Sequence, residues 1–335
     1  MLLVLTVLIV LAAAAALILQ DHVVFTPDGF YFDFQKPTQE AQTPDTDIGQ
    51  DDSAEDVPLV IEDGSSNSPT TPDPTPEDPV PGSPSEREPF SALLATPEQI
   101  ISGETLPTSY DALAVTVKGT DGVMWVADSM NAENGTADVA ADFRSALSGS
   151  DTYKIAVASA LLDPLRPRYI DRASALKVES GSIWLDWDYC SWFSPYATGT
   201  AEYLKALLQS CADAGFSEVI LTDFQFPTRG KTELINYGTQ SVGKAEALAS
   251  LAQQLKRDDL TVSCLLTDTA AAGGADEAAG QDAALLAKAF GKVWVRCSSP
   301  DDTASLRAQL GDNAVALWLT TESTAHNLPD HIFEP

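Results

Sequence analysis

The sequence predicts an α/β fold, a (β/α)8 TIM-type barrel, over about residues 90–335. Short apolar runs of strand length alternate there with amphipathic segments of helical periodicity, which is typical of parallel βαβ units. A length of about 245 residues is usual for one barrel of this kind. Seven core strands can be assigned. The eighth is open: it comes from the region after Leu319, or from the segment before Tyr110, or it does not exist, and an open doubly wound sheet is the alternative architecture.

Residues 2–19 are apolar except for Thr6, and a helix of that length spans about 27 Å, close to the thickness of a bilayer core. We expect residues 1–20 to form a transmembrane signal anchor, with a cleaved signal peptide as the alternative. The apolar residues 17–19, which follow the alanine run, favour the anchor. The protein is therefore expected to be a single-pass protein of the cell membrane with an extracytoplasmic globular domain.

Residues 21–89 are rich in Pro, Ser, Thr, Asp and Glu, and they are predicted to form a disordered acidic linker. Within this linker, residues 23–34 can form a short hairpin with Pro27, Asp28 and Gly29 at its turn. The whole chain has a formal net charge of −30 and a pI near 4.1. So acidic a protein is not expected to bind nucleic acid, because the phosphates would be repelled.

The globular part divides into strands and helices in alternation. The predicted core strands are Leu113–Val117, Tyr153–Ala158, Ser182–Asp186, Val219–Thr222, Leu260–Leu266, Val293–Cys297 and Ala314–Leu319. The predicted helices are Thr136–Leu147, Thr200–Ala214, Ser241–Lys256, Ala279–Phe290 and Asp301–Leu310. Val123–Ala127 is a candidate hairpin partner of the first strand.

The cysteines and histidines predict neither a metal site nor a cofactor. The four cysteines, at positions 190, 211, 264 and 297, lack the close paired spacing of zinc ligands. We expect buried free thiols, with a Cys264–Cys297 disulfide as the alternative in an exported domain. The three histidines lie near the ends of the chain and do not cluster with the cysteines.

Carboxylates at predicted strand ends are the candidate catalytic groups. Asp223 is the central one, because it follows the buried strand Val219–Thr222, and polar groups at the carboxyl ends of barrel strands face the active-site mouth. The alternative is that Asp223 only caps the next loop. The full set of strand-end acids is Asp163, Asp186, Asp188, Asp223, Asp268 and Glu322.

The segment from Trp184 to Trp192 is dense in tryptophan and acid, which suits a carbohydrate platform because indole faces stack on sugar rings. The alternative is that its tryptophans fill the barrel and the helix layer while its acids cap a loop. Arg229 and Lys231 follow the central strand and can bind an anionic group of a substrate, or they are ordinary solvated charges.

The segment Gly215–Pro227 also resembles part of a family of glycosyl hydrolase-like (β/α)8 domains of bacterial surface proteins. A second match, Ala112–Gly122, resembles the first strand of that family, and weaker likenesses cover Tyr153–Pro164 and Trp184–Asp186. The resemblance extends over about residues 105–300 and implies a barrel of glycosidase type. Aligned without gaps, the acidic positions of the two main motifs fall on Thr116 and Thr222.

Two classes of function remain. The first is a membrane-anchored, extracytoplasmic glycoside hydrolase that cleaves the O-glycosyl bonds of a polysaccharide, with Asp223 and Asp186 as its acid/base pair. The second is a catalytically inactive carbohydrate-binding or cell-envelope module on the same barrel, which Thr116 and Thr222 favour. The substrate-binding candidates are Trp184, Trp187, Asp188, Trp192, Gln225, Arg229 and Lys118.

Overall fold

Eight parallel strands close on themselves to form a barrel, and each strand pairs with its neighbours in chain order. The computed structural model describes residues 23–26, 29–32, 88–104, 107, 109–135, 139–148, 152–322 and 328–335. The barrel strands are β1 (Ser91–Ala95), β2 (Ala112–Lys118), β3 (Tyr153–Ser159), β4 (Glu218–Thr222), β5 (Thr261–Leu265), β6 (Val293–Cys297), β7 (Val315–Leu319) and β8 (His331–Phe333). The predicted (β/α)8 barrel is confirmed, and the alternative of an open sheet is wrong.

Six of the seven predicted strands are barrel strands, and the predicted strand Ser182–Asp186 is not. That segment lies in the long connection after β3, where isolated antiparallel bridges pair Lys177 with Ile183 and Leu185 with Ser191. The two barrel strands that are absent from the predicted set are β1 and β8, which pair with each other. β8 has only three residues, too few for a periodic signal. β1 is as long as β4, but its two alanines and two leucines include no β-branched or aromatic residue of the kind that is enriched in strands.

The chain divides into two units, Met1–Pro76 and Glu77–Pro335. In the first, Val23–Thr26 and Gly29–Phe32 pair as antiparallel strands within the segment for which a hairpin is predicted. The predicted anchor, residues 1–20, and nearly all of the predicted linker lie outside the described residues. Within the described part of the chain, no helix combines the length and the apolar character needed to cross a bilayer.

Helices follow most of the strands and cover the outside of the barrel. They are α1 (Pro97–Ser102), α2 (Asp128–Asn134), α3 (Ala140–Leu147), α4 (Thr198–Asp213), α5 (Lys244–Gln254), α6 (Asp268–Gly273), α7 (Ala283–Phe290) and α8 (Ala304–Leu310). In α4 the buried residues Leu204, Leu207, Leu208 and Cys211 recur at helical spacing and form one apolar stripe against the barrel. The predicted helices are confirmed with ends displaced by a few residues.

Inward-facing side chains from alternate strands fill the barrel in layers of four, as the register of the strand pairs requires. The buried middle layers consist of small and bulky apolar residues with one serine. They are Ala92, Ile155, Ser263 and Ala316, and above them Ala114, Ile220, Trp294 and Ile332. The interior is therefore a packed core below the carboxyl ends of the strands.

A charged layer closes the amino-terminal end of the barrel. Lys292 Nζ lies 2.8 Å from Glu218 Oε1 and 2.9 Å from Asp330 Oδ2. The same ammonium group lies over the rings of Phe90 and Trp294. Because Glu218 is fully buried, its charge is compensated inside the protein rather than by solvent.

Candidate active site

The open end of the barrel lies at the carboxyl ends of the strands. The register places Thr116, Thr222, Arg296 and Glu334 in the uppermost layer of four. All four are exposed or half-buried, whereas the layer of Ala114 and Trp294 beneath is fully buried. The mouth is therefore accessible to solvent and lined by polar side chains.

Asp223 directs its carboxylate into this mouth. An ideal strand would turn Asp223 away from the barrel, because Thr222 faces inward. The backbone of Asp223 is instead left-handed, with φ 50°, a conformation that few residues other than glycine adopt and that aspartate tolerates better than most. Its Oδ2 lies 2.8 Å from the inward-facing Ser159 Oγ and 3.4 Å from Thr222 Oγ1. The hydroxyl of Ser159 also lies 2.9 Å from the carbonyl oxygen of Leu162.

A carboxylate that the sequence did not indicate faces the same mouth. Glu334 Oε2 accepts hydrogen bonds from Arg296 Nη2 at 2.7 Å and from Trp318 Nε1 at 2.9 Å. Arg296 lies two residues beyond the interior residue Trp294, on the same face of β6. Because β8 is absent from the predicted strands, nothing in the sequence indicated that Glu334 lies at the end of a barrel strand.

Asp186 organises the tryptophan-rich loop. Its Oδ1 accepts hydrogen bonds from the backbone N–H groups of Asp188 and Cys190, at 2.9 and 3.0 Å. Its Oδ2 accepts one from Trp192 Nε1 at 3.1 Å and lies 3.6 Å from Arg229 Nη2. The buried Asp186 carboxylate is thus largely occupied by the loop itself, and its catalytic role stays a prediction.

The predicted aromatic platform separates into buried and exposed rings. Trp184 and Trp192 are buried, and Trp184 Nε1 donates to the carbonyl oxygen of Lys231. Trp187 and Tyr189 are 71% and 75% exposed. The exposed rings therefore lie at the tip of a loop that the buried tryptophans fix from below.

Arg229 links this loop to the segment after β4. Its Nη1 lies 2.8 Å from the exposed Asp188 Oδ2, and its side chain is half-exposed. Gly230 next to it has φ 98°, and a Cβ there would lie 2.8 Å from the Trp184 ring, so glycine is required for the two loops to pack.

Lys118 and Asp163 form a fully buried ion pair with 3.3 Å between Lys118 Nζ and Asp163 Oδ2. Lys118 also donates to the carbonyl oxygens of Ser159 and Leu162, and Tyr203 donates to Asp163 Oδ2. Burial, and then the charge of Asp163, hold the pKa of the Tyr203 hydroxyl well above its ordinary value. These contacts fix the end of β3, and the predicted role of Lys118 in substrate binding stays a prediction.

The remaining candidates are dispersed. Gln225 is half-buried next to the β4 end, and Asp268 is exposed at the start of α6. Burial, followed by the charge of Glu322, raises the pKa of the Tyr110 hydroxyl, and the Tyr110 ring stacks on Phe333.

A cavity of about 380 Å³ lies beside the start of α5, with an acidic lining that includes Glu246, Asp276, Glu277 and Asp282. Its lysine, Lys244, already donates to the carbonyl oxygen of Ala278 and lies over the Phe226 and Tyr237 rings. Burial lowers the pKa of the Lys244 ammonium group.

The four cysteines are free thiols, as the first of the two interpretations predicted. Burial raises the pKa of Cys211 to about 12 and that of Cys297 to about 11. Among the described residues, no cluster of three histidine, cysteine or acidic side chains has the arrangement of a metal site.

A closed (β/α)8 barrel with polar side chains at its mouth defines the fold class, and the comparison with known families gives the family. The model of a family described as "Putative glycosyl hydrolase domain" matches residues 105–293, more than half of the chain. The chain belongs to this family. No curated protein matches it.

Several solved structures are similar to this chain at low identity. A hypothetical protein from Ruminiclostridium thermocellum is 17% identical with a TM-score of 0.43, over 51% of this chain and 96% of that protein. An α-galactosidase from Lactobacillus brevis is 10% identical with a TM-score of 0.48, over 74% of this chain and 37% of that protein. A phosphoenolpyruvate phosphomutase from Streptomyces platensis is 12% identical with a TM-score of 0.39, over 75% of this chain and 77% of that protein.

Proposed function

We propose that the barrel hydrolyses O-glycosyl bonds of a polysaccharide at its open mouth, with Asp223 as a catalytic carboxylate. The supporting observation is the conformation of Asp223. Its left-handed backbone turns a carboxylate toward Ser159 and Thr222, at the end of the barrel where (β/α)8 enzymes bind their substrates. Backbone strain of this kind is concentrated at functional sites, because it persists only where the surroundings enforce it.

The backbone around Asp223 supplies that enforcement. The carbonyl oxygen of Asp223 accepts from Leu161 N–H, and that of Thr222 accepts from Ala160 N–H, so the pairing of β3 with β4 continues past the end of both strands. The two hydroxyls then orient the carboxylate. A carboxyl group held in one orientation at a solvent-accessible mouth suits proton transfer to a glycosidic oxygen.

The loop of Trp187 and Asp188 is the proposed glycan-binding surface of the same site. Trp187 offers an exposed indole face for a sugar ring, and Asp188 with Arg229 offers polar groups for its hydroxyls. We assign Asp186, Trp184 and Trp192 to the support of this loop, since Trp192 donates to Asp186 within it and Trp184 ties it to the carbonyl oxygen of Lys231. Gln225, next to Asp223 in sequence, completes the proposed set.

Activity on a panel of polysaccharides tests the proposal. Release of reducing ends is measured for the wild type, for Asp223→Asn and for Asp312→Asn, a matched control in which an exposed acid before β7, at the opposite end of the barrel, is neutralised. We expect Asp223→Asn to lose about 100-fold or more of the rate and Asp312→Asn to retain it. Equal activity of the wild type and Asp223→Asn would remove Asp223 from the mechanism.

The second candidate function is a non-catalytic carbohydrate-binding module. The observation that favours it is the identity of Thr116 and Thr222, which occupy the motif positions where the resembling family has acidic residues and lie in the uppermost layer of the barrel. If a polysaccharide in the gel slows the electrophoretic migration of the wild type, but the protein hydrolyses no member of the panel, this function replaces the first.

For the location of the protein we propose that residues 2–19 anchor it in the cell membrane and that residues 21–89 separate the anchor from an extracytoplasmic barrel. The supporting observations are the uniformly apolar run and the acidic, proline-rich composition that follows it. Fractionation of cells that express the full chain should recover it with membranes, and deletion of residues 1–20 should release it. Recovery of the full chain in the soluble fraction would contradict the anchor.

A further inference from the structure

Glu334 extends the last barrel strand toward the mouth and lies outside the segment that matches the family model. Its backbone N–H donates to the carbonyl oxygen of Leu319 at 3.0 Å, so the ladder of β8 continues one residue past Phe333. Because side chains alternate along a strand, Glu334 faces the same side as Ile332, which is buried inside the barrel. Its position is therefore fixed by main-chain pairing rather than by a loop.

The Glu334 carboxylate is oriented by two donors and is still accessible to a ligand. Both Arg296 and Trp318 donate to Oε2, and 34% of the Glu334 side chain and 51% of the Arg296 side chain are exposed. An ion pair with this exposure contributes little to stability, because solvent screens it. The fold therefore gains little from the pair, and an oriented, accessible carboxylate is what a catalytic group requires.

Glu334 and Asp223 enter the mouth from opposite walls. Four steps around the barrel separate β4 from β8 in either direction. Thr222, which precedes Asp223, lies in the same layer as Glu334 by the strand register. Glycosidases typically use two carboxyl groups that flank the sugar, so one carboxylate on each of two opposite walls is the arrangement that such an enzyme requires.

This inference rests on the proposed function. We propose that Glu334 is the second catalytic carboxylate and acts as the general base opposite Asp223, and that Arg296 is the positioning residue that orients it. The assignment of base and acid follows from the neighbours. The guanidinium of Arg296 compensates the charge of the Glu334 carboxylate, whereas the donors next to Asp223 are neutral hydroxyls.

The chemical step consumes one water molecule. Glu334 takes a proton from water as the water oxygen forms a bond to the anomeric carbon. The bond from that carbon to the glycosidic oxygen breaks, its electron pair passes to the oxygen, and Asp223 donates a proton to it. The products are a hemiacetal and an alcohol, and exchange with solvent returns the proton from Glu334 to Asp223.

Steady-state kinetics of the full chain test the inference on a polysaccharide that the wild type hydrolyses. The variants are Glu334→Gln, Glu334→Asp, Asp223→Asn and, as a matched control, Asp312→Asn, whose carboxylate pairs with Arg307 at 2.8 Å before β7, at the opposite end of the barrel. We expect kcat to fall about 100-fold or more for Glu334→Gln and Asp223→Asn with little change in KM, and to stay within about twofold for Asp312→Asn. Glu334→Asp retains the charge but shortens the side chain, so it should lose rate without loss of thermal stability.

Arg296 has its own pair of variants. Arg296→Met should lower kcat about tenfold with little change in KM, and Arg296→Lys should recover part of the loss because it restores the charge. A purely structural role would change the unfolding temperature and leave kcat unaltered. An unaltered kcat in Arg296→Met would overturn the positioning role.

The outcomes separate the two proposals. If Asp223→Asn is inactive and Glu334→Gln keeps its rate within a few-fold, Glu334 is not catalytic and the proposed function stands. If neither substitution affects the rate, or if the wild type hydrolyses no polysaccharide, the proposed function and this inference both fail.

Discussion

Lys292 Nζ lies 2.8 Å from Glu218 Oε1 inside the barrel, at the end opposite the open mouth. Asp330 adds a second carboxylate to Lys292, and Tyr153 donates to Glu218 Oε2 at 3.2 Å. Charge is thus buried where no substrate is expected, and the packed layers above it separate this cluster from the mouth. The two ends of the barrel therefore differ in exposure. Buried ion pairs close the amino-terminal end, and the carboxyl-terminal end is accessible to solvent.

We predict that Lys292→Met lowers the free energy of unfolding by about 3–5 kcal/mol, because it removes the ammonium group that compensates the buried Glu218 carboxylate. Urea denaturation measures the loss, and Asp312→Asn is the exposed control, with an expected change below about 1 kcal/mol. The double variant Lys292→Met/Glu218→Gln should be more stable than Lys292→Met alone, since one uncompensated charge is removed. Additive losses in the double variant would contradict the coupling.

The hydroxyl of Ser159 should matter for the rate as well as for stability, because it is buried and lies against both the Asp223 carboxylate and the carbonyl oxygen of Leu162. Ser159→Ala removes the closer donor to Asp223, and a hydrogen bond to a charged group is worth about 1.5–3 kcal/mol. At about 1.4 kcal/mol for each factor of ten, kcat should fall roughly 10- to 100-fold. Ser210→Ala, in which the hydroxyl bonds only within α4, is the control and should keep the wild-type rate.

The left-handed backbone of Asp223 can be tested by stability alone. Glycine adopts φ 50° without steric cost, whereas a Cβ branch there costs about 1–2 kcal/mol. Asp223→Gly should therefore be more stable than Asp223→Ala by about 1 kcal/mol in urea denaturation. Greater stability of Asp223→Ala would mean that the residue is not left-handed in solution.

The exposed and buried rings of the aromatic loop should respond differently to truncation. Trp187→Ala should weaken retardation in polysaccharide gels while leaving the unfolding temperature unchanged. Trp192→Ala, in contrast, removes a buried ring and should destabilise the protein by about 3–5 kcal/mol. Unchanged gel retardation of Trp187→Ala on every polysaccharide that binds would exclude the loop as the glycan surface.

The stability of the barrel should fall in alkaline solution. Burial raises the pKa of Cys211 from 9.0 to about 12 and that of Cys297 to about 11. Above pH 9 the unfolded thiols lose protons that the folded thiols retain, so the unfolded state is favoured as the pH rises from about 9 toward 11. Urea midpoints at pH 7, 9 and 10.5 measure the decline.

The variant Cys211→Ala should lose less stability than the wild type over that range, because one of the buried thiols with a raised pKa is gone while Cys264 and Cys297 remain. The Ser210→Ala variant, which removes a hydroxyl on the same helix and no thiol, is the control. An equal decline for the wild type and Cys211→Ala would remove Cys211 as a cause.

Local patterns were sufficient for the parts of the barrel that have strong local signals. The run Val219–Leu221, bounded by Gly215 and Pro227, identified β4 and placed Asp223 at its end. Ser182–Asp186 has a similar pattern of apolar residues and a terminal acid, yet its partners lie in its own loop. A strand pattern does not say which strand it pairs with, and that is decided by tertiary contacts.

The position of Glu334 could not be predicted for the same reason. The three residues of β8 are too few for a periodic signal. One of its two neighbouring strands, β1, lies at the other end of the globular sequence, so their pairing leaves no local pattern. Which residues share a layer depends on the register accumulated around the whole barrel. The direction of the Asp223 carboxylate likewise depends on a backbone angle that strand alternation does not contain.

The segment that matches the family model, residues 105–293, contains only part of the ring of strands. It ends as β6 begins, and β1, β7 and β8 are adjacent to one another in the barrel order. A protein trimmed to that segment would lack consecutive strands of the barrel, namely most of β6 and all of β7, β8 and β1. The unpaired N–H and C=O groups of β2 on one side of the gap would then be free to pair with other molecules, so such a fragment would tend to polymerise rather than fold.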